Sequence, residues 1–241
     1  MGRAPCIGDL NKVKDDQARL FDRLAARDCL YEYKPEGLAA IDGLVRHKGR
    51  VLDVGCGDGT LGAALESDLV IGVDLSERCA RLARNKGVHA VVADAIGRLP
   101  FAAESFDTIY CIDVLHHLCQ AWESVFAEID RVLRRGGALI IVEPDARNPL
   151  VRWTQAPGSP IRVAPFNNEP AIYPETLLPH LEGHGYACGC EPFHLEARQV
   201  VRDVFPLWQR LLKAPFVLAL AYYCRRMPNK FLITARKPQS T

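Results

Sequence analysis

The stretch Val51-Leu52-Asp53-Val54-Gly55-Cys56-Gly57-Asp58-Gly59-Thr60 limits what this chain can fold into more than any other. A short apolar run breaks into alternating glycines and restarts as a helix. The glycines permit a sharp turn and let a ligand lie against the backbone, where a Cβ would collide. A glycine loop alone fits any nucleotide-like ligand, or simply a tight turn. Asp53 narrows the choice. A carboxylate at the tip of the strand repels a dinucleotide pyrophosphate and attracts the ammonium end of an amino-acid ligand.

From Arg50 to Pro144 strands and helices alternate. The apolar runs Val51–Val54, Leu69–Val73, Ala90–Ala93, Phe106–Ile112 and Ala138–Val142 read as strands. Ser76 is placed to cap the helix after the second and Gly87 to end it. Trp122, Val125, Phe126, Ile129, Val132 and Leu133 follow helical spacing up to Gly136-Gly137. Continuous apolar strands linked by helices imply a parallel sheet covered on both faces. Before this core, the first thirty residues read as helical, with Leu20, Phe21 and Leu24 apolar. A second helix starts at Pro35, buries Leu38, Ile41, Leu44 and Val45, and stops at Gly49. After it, 144–173 is proline-rich and reads as a loop or lid. A helix over Pro174–His184 and strands near Tyr186–Leu195 and Phe231–Arg236 follow.

Two more acids close strands. Asp74, ahead of Leu75 and Ser76, is placed to accept from both ribose hydroxyls, or to cap the next helix. Asp94, ahead of Ala95, is placed to take an adenine amino group, or to cap its own loop.

These pieces together resemble the class I S-adenosylmethionine-dependent methyltransferases, especially the small-molecule and quinone type. The matching elements are Asp53-x-Gly55-x-Gly57-x-Gly59, Gly72-Val73-Asp74-Leu75-Ser76, and Ala93-Asp94-Ala95 leading to Leu99-Pro100-Phe101. Phe106-Asp107 with Leu115-His116-His117-Leu118 follows, then Arg131-Val132-Leu133-Arg134-Arg135-Gly136-Gly137. The resemblance covers about 50–145 and, more weakly, the final strand. It implies a Rossmann-like α/β fold: a seven-stranded, mostly parallel sheet with an antiparallel last strand and helices on both faces. The implied cofactor is S-adenosyl-L-methionine. Gly55, Cys56 and Gly57 would pass under its amino-acid part, Asp74 and Leu75 would meet the ribose, Asp94 and Ala95 the adenine, and Ile112 and Asp113 would border the methionine. Tyr31 and Tyr33 would close over it, or else pack ordinary helices. The implied organisation is an N-terminal helical cover over 1–48, a cofactor core over 49–145, and a remainder over 146–241 with an insertion at 196–230.

Methyl transfer from a sulfonium is an in-line displacement, so the protein mainly positions the acceptor and excludes water. His116 and His117 follow the fourth strand at the ligand edge and are the candidate general bases. The alternative is that one packs under the cofactor while the other caps a helix. Asp113 divides between base and cofactor contact, and Glu143 is a third candidate.

Other features exclude function classes. The net charge of +1 gives no field to gather nucleic acid, so no nucleic-acid partner is expected, while a modified RNA base stays open as a substrate. The 9 cysteines form no CxxC pair, which argues against structural zinc and for buried thiols in a reducing compartment. Cys188 and Cys190 would share one strand face. The first twenty residues lack a signal-peptide core, and a cytoplasmic location is expected. Leu211–Cys224 as a helix is about 21 Å long, short of the roughly 30 Å hydrocarbon thickness of a bilayer. Flanked by Arg210, Lys213, Arg225, Arg226 and Lys230, it suits a helix at a membrane surface or a cap over an apolar small-molecule acceptor. A buried cap helix or a homodimer interface over 206–226 is the alternative. The rival functions are non-methyl-transfer chemistry on the same cofactor site, a non-enzymatic binding subunit, and a nicotinamide dehydrogenase. Asp53 argues against the last.

Overall fold

A computed structural model describes residues 10–26, 31–119, 121–156, 171–195, 197–199 and 227–239. In chain order the elements are α1 (Leu10–Ala25), β1 (Tyr31–Tyr33), α2 (Pro35–Asp42), β2 (Arg50–Val54), α3 (Thr60–Ala64), β3 (Leu69–Asp74), α4 (Glu77–Asn85) and β4 (His89–Val92). There follow β5 (Phe106–Ile112), a 3-10 turn (Leu115–Leu118), α5 (Trp122–Val132), β6 (Leu133–Pro144), α6 (Pro149–Gln155), α7 (Pro174–Gly183), β7 (Ala187–Phe193), β8 (Ala197–Gln199) and β9 (Lys230–Arg236).

Seven strands form one sheet in the order β4-β3-β2-β5-β6-β9-β7. Strands β4 to β6 pair in parallel, and β9 lies antiparallel between β6 and β7. The expected seven-stranded, Rossmann-like sheet is therefore present. Alternation within the strands splits the core between two faces. Ile109 and Cys111, Leu139 and Ile141, and Phe231 and Ile233 pack with Phe126, Ile129, Leu177 and Leu181 from α5 and α7. Tyr110 and Ile112, Ile140 and Val142, and Leu232 pack on the other face with Ile41, Val45 and Leu61.

Chain order leaves β2 towards β3 and β4 on one side and jumps to β5 on the other. The crevice of such a sheet opens at that switch, beyond the strand ends. Because β9 runs antiparallel, its first residue, Lys230, pairs with Pro144 at the end of β6. The last strand thus begins at the edge where the parallel strands finish.

Four elements differ from expectation. Helix α2 stops at Asp42 rather than Gly49, yet Val45 beyond it remains buried. Strand β6 starts at Leu133, so Gly136-Gly137 lie inside it. Leu133 pairs with Phe106 and Ala138 with Thr108, which places 134–137 in a bulge opposite Asp107. Helix α6 occupies part of the segment expected to be loop. Asn148 accepts from the backbone N–H of Leu150 and Val151, and Pro149 sits in the first turn. The proline content of 144–173 hid these start signals. Finally, β1 pairs antiparallel with β8, tying the N-terminal segment to the start of the 196–230 insertion. The rest of that insertion up to 226, and 157–170 of the lid, lie outside the described residues.

Candidate active site

At the switch between β2 and β5 lies a cavity of about 150 Å³. One water needs roughly 10–15 Å³, so this is ligand space rather than a packing gap. Its lining includes Asp53, Gly55, Cys56, Gly57, Asp74, Leu75, Asp94, Ala95, Ile112 and Asp113. Every cofactor-contact residue expected from the sequence is thus brought to one cavity. His117 and Tyr33 also line it, whereas His116 does not. The side chain of Tyr31 lies outside the described residues.

The loop after β2 is shaped by its neighbours. Gly55 has φ +72°, and a Cβ there would run into the Val114 side chain after β5. Gly57, at φ +52°, faces open space, and its N–H donates to Asp74 Oδ2 at 2.8 Å. The other oxygen of Asp74 accepts from the Ser76 N–H at 2.8 Å. Burial pushes the Asp74 carboxyl up, against the pull of those two N–H groups and of nearby His117.

Asp53 stands apart. It is 2% exposed, and its Oδ2 has no hydrogen-bond partner among the described residues. Burial, then the charges of Asp74 and Asp58, raise its pKa to about 7. A buried acceptor without a donor is costly. A cationic or N–H-bearing ligand entering the cavity relieves that cost.

Helix α1 lies over the opening. Lys14 Nζ donates to Asp94 Oδ2 at 2.6 Å, while Asp94 Oδ1 accepts from the Ile96 N–H at 2.9 Å. Gln17 donates to the His117 carbonyl at 3.2 Å, and the Phe21 ring meets the His117 ring edge-on, centroids 5.4 Å apart. Asp22 accepts from Ser76 Oγ at 2.5 Å and from the Arg78 N–H at 3.2 Å. Lys14, Gln17 and Phe21 stand at i, i+3 and i+7, one helical face. That spacing was visible in the sequence, but the surface it covers was not.

Beyond β5 the polar groups pair with one another. His116, 9% exposed, shares a 2.7 Å hydrogen bond from Nδ1 with Glu143 Oε2. Glu143 is fully buried, and its Oε1 accepts from the N–H groups of Val114 and Leu115 at 2.8 and 2.6 Å. Glu143 therefore anchors the loop after β5. Asp113 takes a positive φ of 55°, with its N–H on the Val142 carbonyl at 2.9 Å. Its carboxylate accepts from Tyr33 Oη at 3.0 Å and pairs closely with Lys230 Nζ. Burial works against the Asp113 carboxylate, but Lys230, His116 and the Tyr33 hydrogen bond outweigh it and hold its pKa below the ordinary value. Asp113, His116 and Glu143 bring ligating atoms within 4.8 Å of one another. The ammonium on Asp113 and the backbone donors on Glu143 give this group the character of an ion-pair network. Lys230 was absent from the sequence reading of the site, because nothing near it in the chain points to residue 113.

Residues 52–141 match the methyltransferase domain family. A tRNA (carboxymethyluridine(34)-5-O)-methyltransferase of Arabidopsis thaliana is 31% identical over 53% of this chain and 35% of its own length. The ubiquinone biosynthesis O-methyltransferase of Hahella chejuensis is 33% identical over 55% of this chain and 59% of its own. The chain thus spans between 35% and 59% of these two curated relatives. A crystal structure of a methyltransferase homologue from Bacillus halodurans superposes with a TM-score of 0.55, covering 86% of this chain and 99% of that one at 22% identity. Residues 52–141 thus match the methyltransferase domain family, whose cofactor is S-adenosylmethionine, and the fold is shared with the Bacillus halodurans structure. Among the described residues, no helix is long and apolar enough to cross a membrane.

Proposed function

We propose that this methyltransferase domain transfers the methyl group of S-adenosylmethionine to oxygen or carbon of a small apolar acceptor. One observation carries the cofactor side: the buried Asp53 oxygen that lines the cavity without a donor. The ammonium of the methionine part supplies that donor. Asp74 would hold the ribose, the 94–96 turn the adenine, and Ile112 the methionine chain. S-adenosylmethionine brings an activated methyl group, so the chain's own task is to orient the acceptor and keep water out. Helix α1 serves the second task by lying across the opening. Of the two histidines, His117 is the one placed to take a proton from an acceptor, since it lines the cavity and His116 does not.

The acceptor class rests on two supports. The relative from ubiquinone biosynthesis is named as an O-methyltransferase. The apolar stretch 211–224 follows the strand that pairs with Tyr31–Tyr33 near the cavity. A tRNA acceptor is the second reading, favoured by the Arabidopsis relative. The charge of the cavity supports the first reading. The lining carries Asp53, Asp58, Asp74, Asp94 and Asp113 against Lys14, which disfavours a polyanion at the opening.

The protein is incubated with methyl-labelled S-adenosylmethionine and either an apolar small-molecule extract or total tRNA. Label in the extract together with S-adenosylhomocysteine is the expected result. Label confined to tRNA moves the assignment to the second reading. Cofactor turnover without methyl transfer points to other chemistry on the same site.

A further inference from the structure

Lys230 reaches Asp113 across 117 positions of sequence, only because β9 starts where β5 and β6 end. It is 9% exposed and does not line the cavity, whereas Asp113 and Tyr33 do. Asn229 beside it exchanges two hydrogen bonds with the backbone of Leu195, from Nδ2 at 2.9 Å and to Oδ1 at 3.1 Å. The Asn229 carbonyl accepts from the Asp145 N–H at 3.2 Å. The chain entering β9, which carries Lys230, is therefore held in place. The charged and titratable groups around Asp113 are Tyr33 from β1, His116 from the 3-10 turn, Glu143 from β6 and Lys230 from β9, with Asp53 of β2 on the same cavity wall.

We propose that Lys230 is a positioning residue of the methyl-transfer edge, keeping Asp113 anionic beside the cavity and, through Asp113, fixing the Tyr33 hydroxyl there. Unpaired, a carboxylate this deeply buried takes up a proton, because low dielectric disfavours the charged form. It then presents a neutral group to the cavity and loses its hold on Tyr33. This inference rests on the cofactor reading above.

The experiment measures S-adenosylmethionine affinity by calorimetry at about pH 6 and about pH 8, since a buried carboxyl deprived of its cation takes up a proton more readily as the pH falls. Wild type, Lys230→Arg, Lys230→Met, Asp113→Asn and the double variant Lys230→Met/Asp113→Asn are compared, each as a ratio to wild type at the same pH. The ratio cancels the titration of Asp53. Lys230→Arg stays within about twofold at both pH values, since it keeps the charge. Lys230→Met is about tenfold weaker at the lower pH, the scale of one hydrogen bond to a charged group. Its deficit narrows at the higher pH as Asp113 ionises again. Lys230→Met added to Asp113→Asn causes no further loss. A pH-independent deficit, or a double variant that loses the product of the two single effects, overturns the proposal.

Failure of the wild type to bind S-adenosylmethionine overturns the cofactor reading instead. The same variants are then compared by denaturation midpoint. The pair predicts that Lys230→Met lowers the midpoint more at the higher pH, where the unpaired anion is present, and that adding Asp113→Asn restores it. Additive losses there overturn the pair.

Discussion

On the β2, β3 and β4 side of the sheet edge, each acid except Asp53 holds one oxygen close to home, while the second oxygens of Asp58, Asp74 and Asp94 meet Lys86, Gly57 and Lys14. Asp58 accepts from Thr60, Asp74 from Ser76, and Asp94 from Ile96, each two residues on. Asp53 keeps an oxygen open. On the β5, β6 and β9 side, acids are fastened to remote partners. Asp113 meets Tyr33 and Lys230, while Glu143 meets His116 and the backbone of Val114 and Leu115. The first side is built of short loops that line the cavity and leave the Asp53 acceptor open to a ligand's donor. The second is a closed network whose members satisfy one another. The difference separates recognition, which needs open groups, from positioning, which needs satisfied ones.

The largest test of that contrast falls on the closed side. Replacing Glu143 by Ala strands two backbone N–H groups and the His116 imidazole in a dry interior. The expected loss is about 3–5 kcal/mol of stability by urea denaturation. A loss below about 1 kcal/mol would mean that water or another group already serves those donors, and the network would not be closed.

Asp53→Asn tests the open side. It removes the charge that meets the ligand's ammonium, so S-adenosylhomocysteine should bind about 30- to 100-fold more weakly by calorimetry. The free protein should be no less stable, because the substitution removes a buried charge lacking a partner. Matching losses of affinity and stability would make Asp53 a structural group instead.

A smaller effect comes from pH. The Asp53 carboxyl titrates at about 7 in the folded chain, against an ordinary value of 3.8. Between those values the folded state binds more protons than the unfolded one. Its contribution to stability therefore falls as pH rises from about 4 to about 7 and is level above that. Ligand affinity runs the other way. The ammonium needs the ionised acid, so affinity should fall by up to about tenfold per pH unit below about pH 7. Asp53→Asn should flatten this profile, and a steep profile in that variant would locate the titration elsewhere.

The least effect is expected at Lys14→Ala. Its pair with Asp94 is partly exposed, with side-chain exposures of 18% and 33%. Pairs of that kind are worth about 0–1 kcal/mol and weaken in salt. A change above about tenfold in cofactor affinity, persisting in high salt, would show that α1 acts as more than a cover.

Much of the recognition side was legible in the sequence. Asp53, Asp74 and Asp94 each stand at the end of an apolar run, and a strand end in a parallel sheet has one place to be. The seven strands of the large sheet were legible for the same reason, since their apolar runs are a local property, whereas the early start of β6 at Leu133 and the short strands β1 and β8 were not. The two adjacent histidines were not separable. A tight turn sends neighbouring side chains different ways, and only the position of Glu143 decides which one is drawn inward. Helix α6 was missed because its Asn148 and Pro149 signals lie within a proline-rich stretch that argues for loop.

By itself, then, the sequence determined the cofactor half of this protein: the glycine turn, the acids at the strand ends and the alternation that makes a parallel sheet. Each of these is set by residues within a few positions of one another. Only the tertiary structure decided the other half. It set the register of β9 that brings Lys230 to Asp113, laid α1 across the opening, and turned His116 to Glu143 while leaving His117 on the cavity. Those contacts join segments far apart in the chain. They exist because packing both faces of one sheet leaves few places for each strand to begin, and no local pattern records which place is taken.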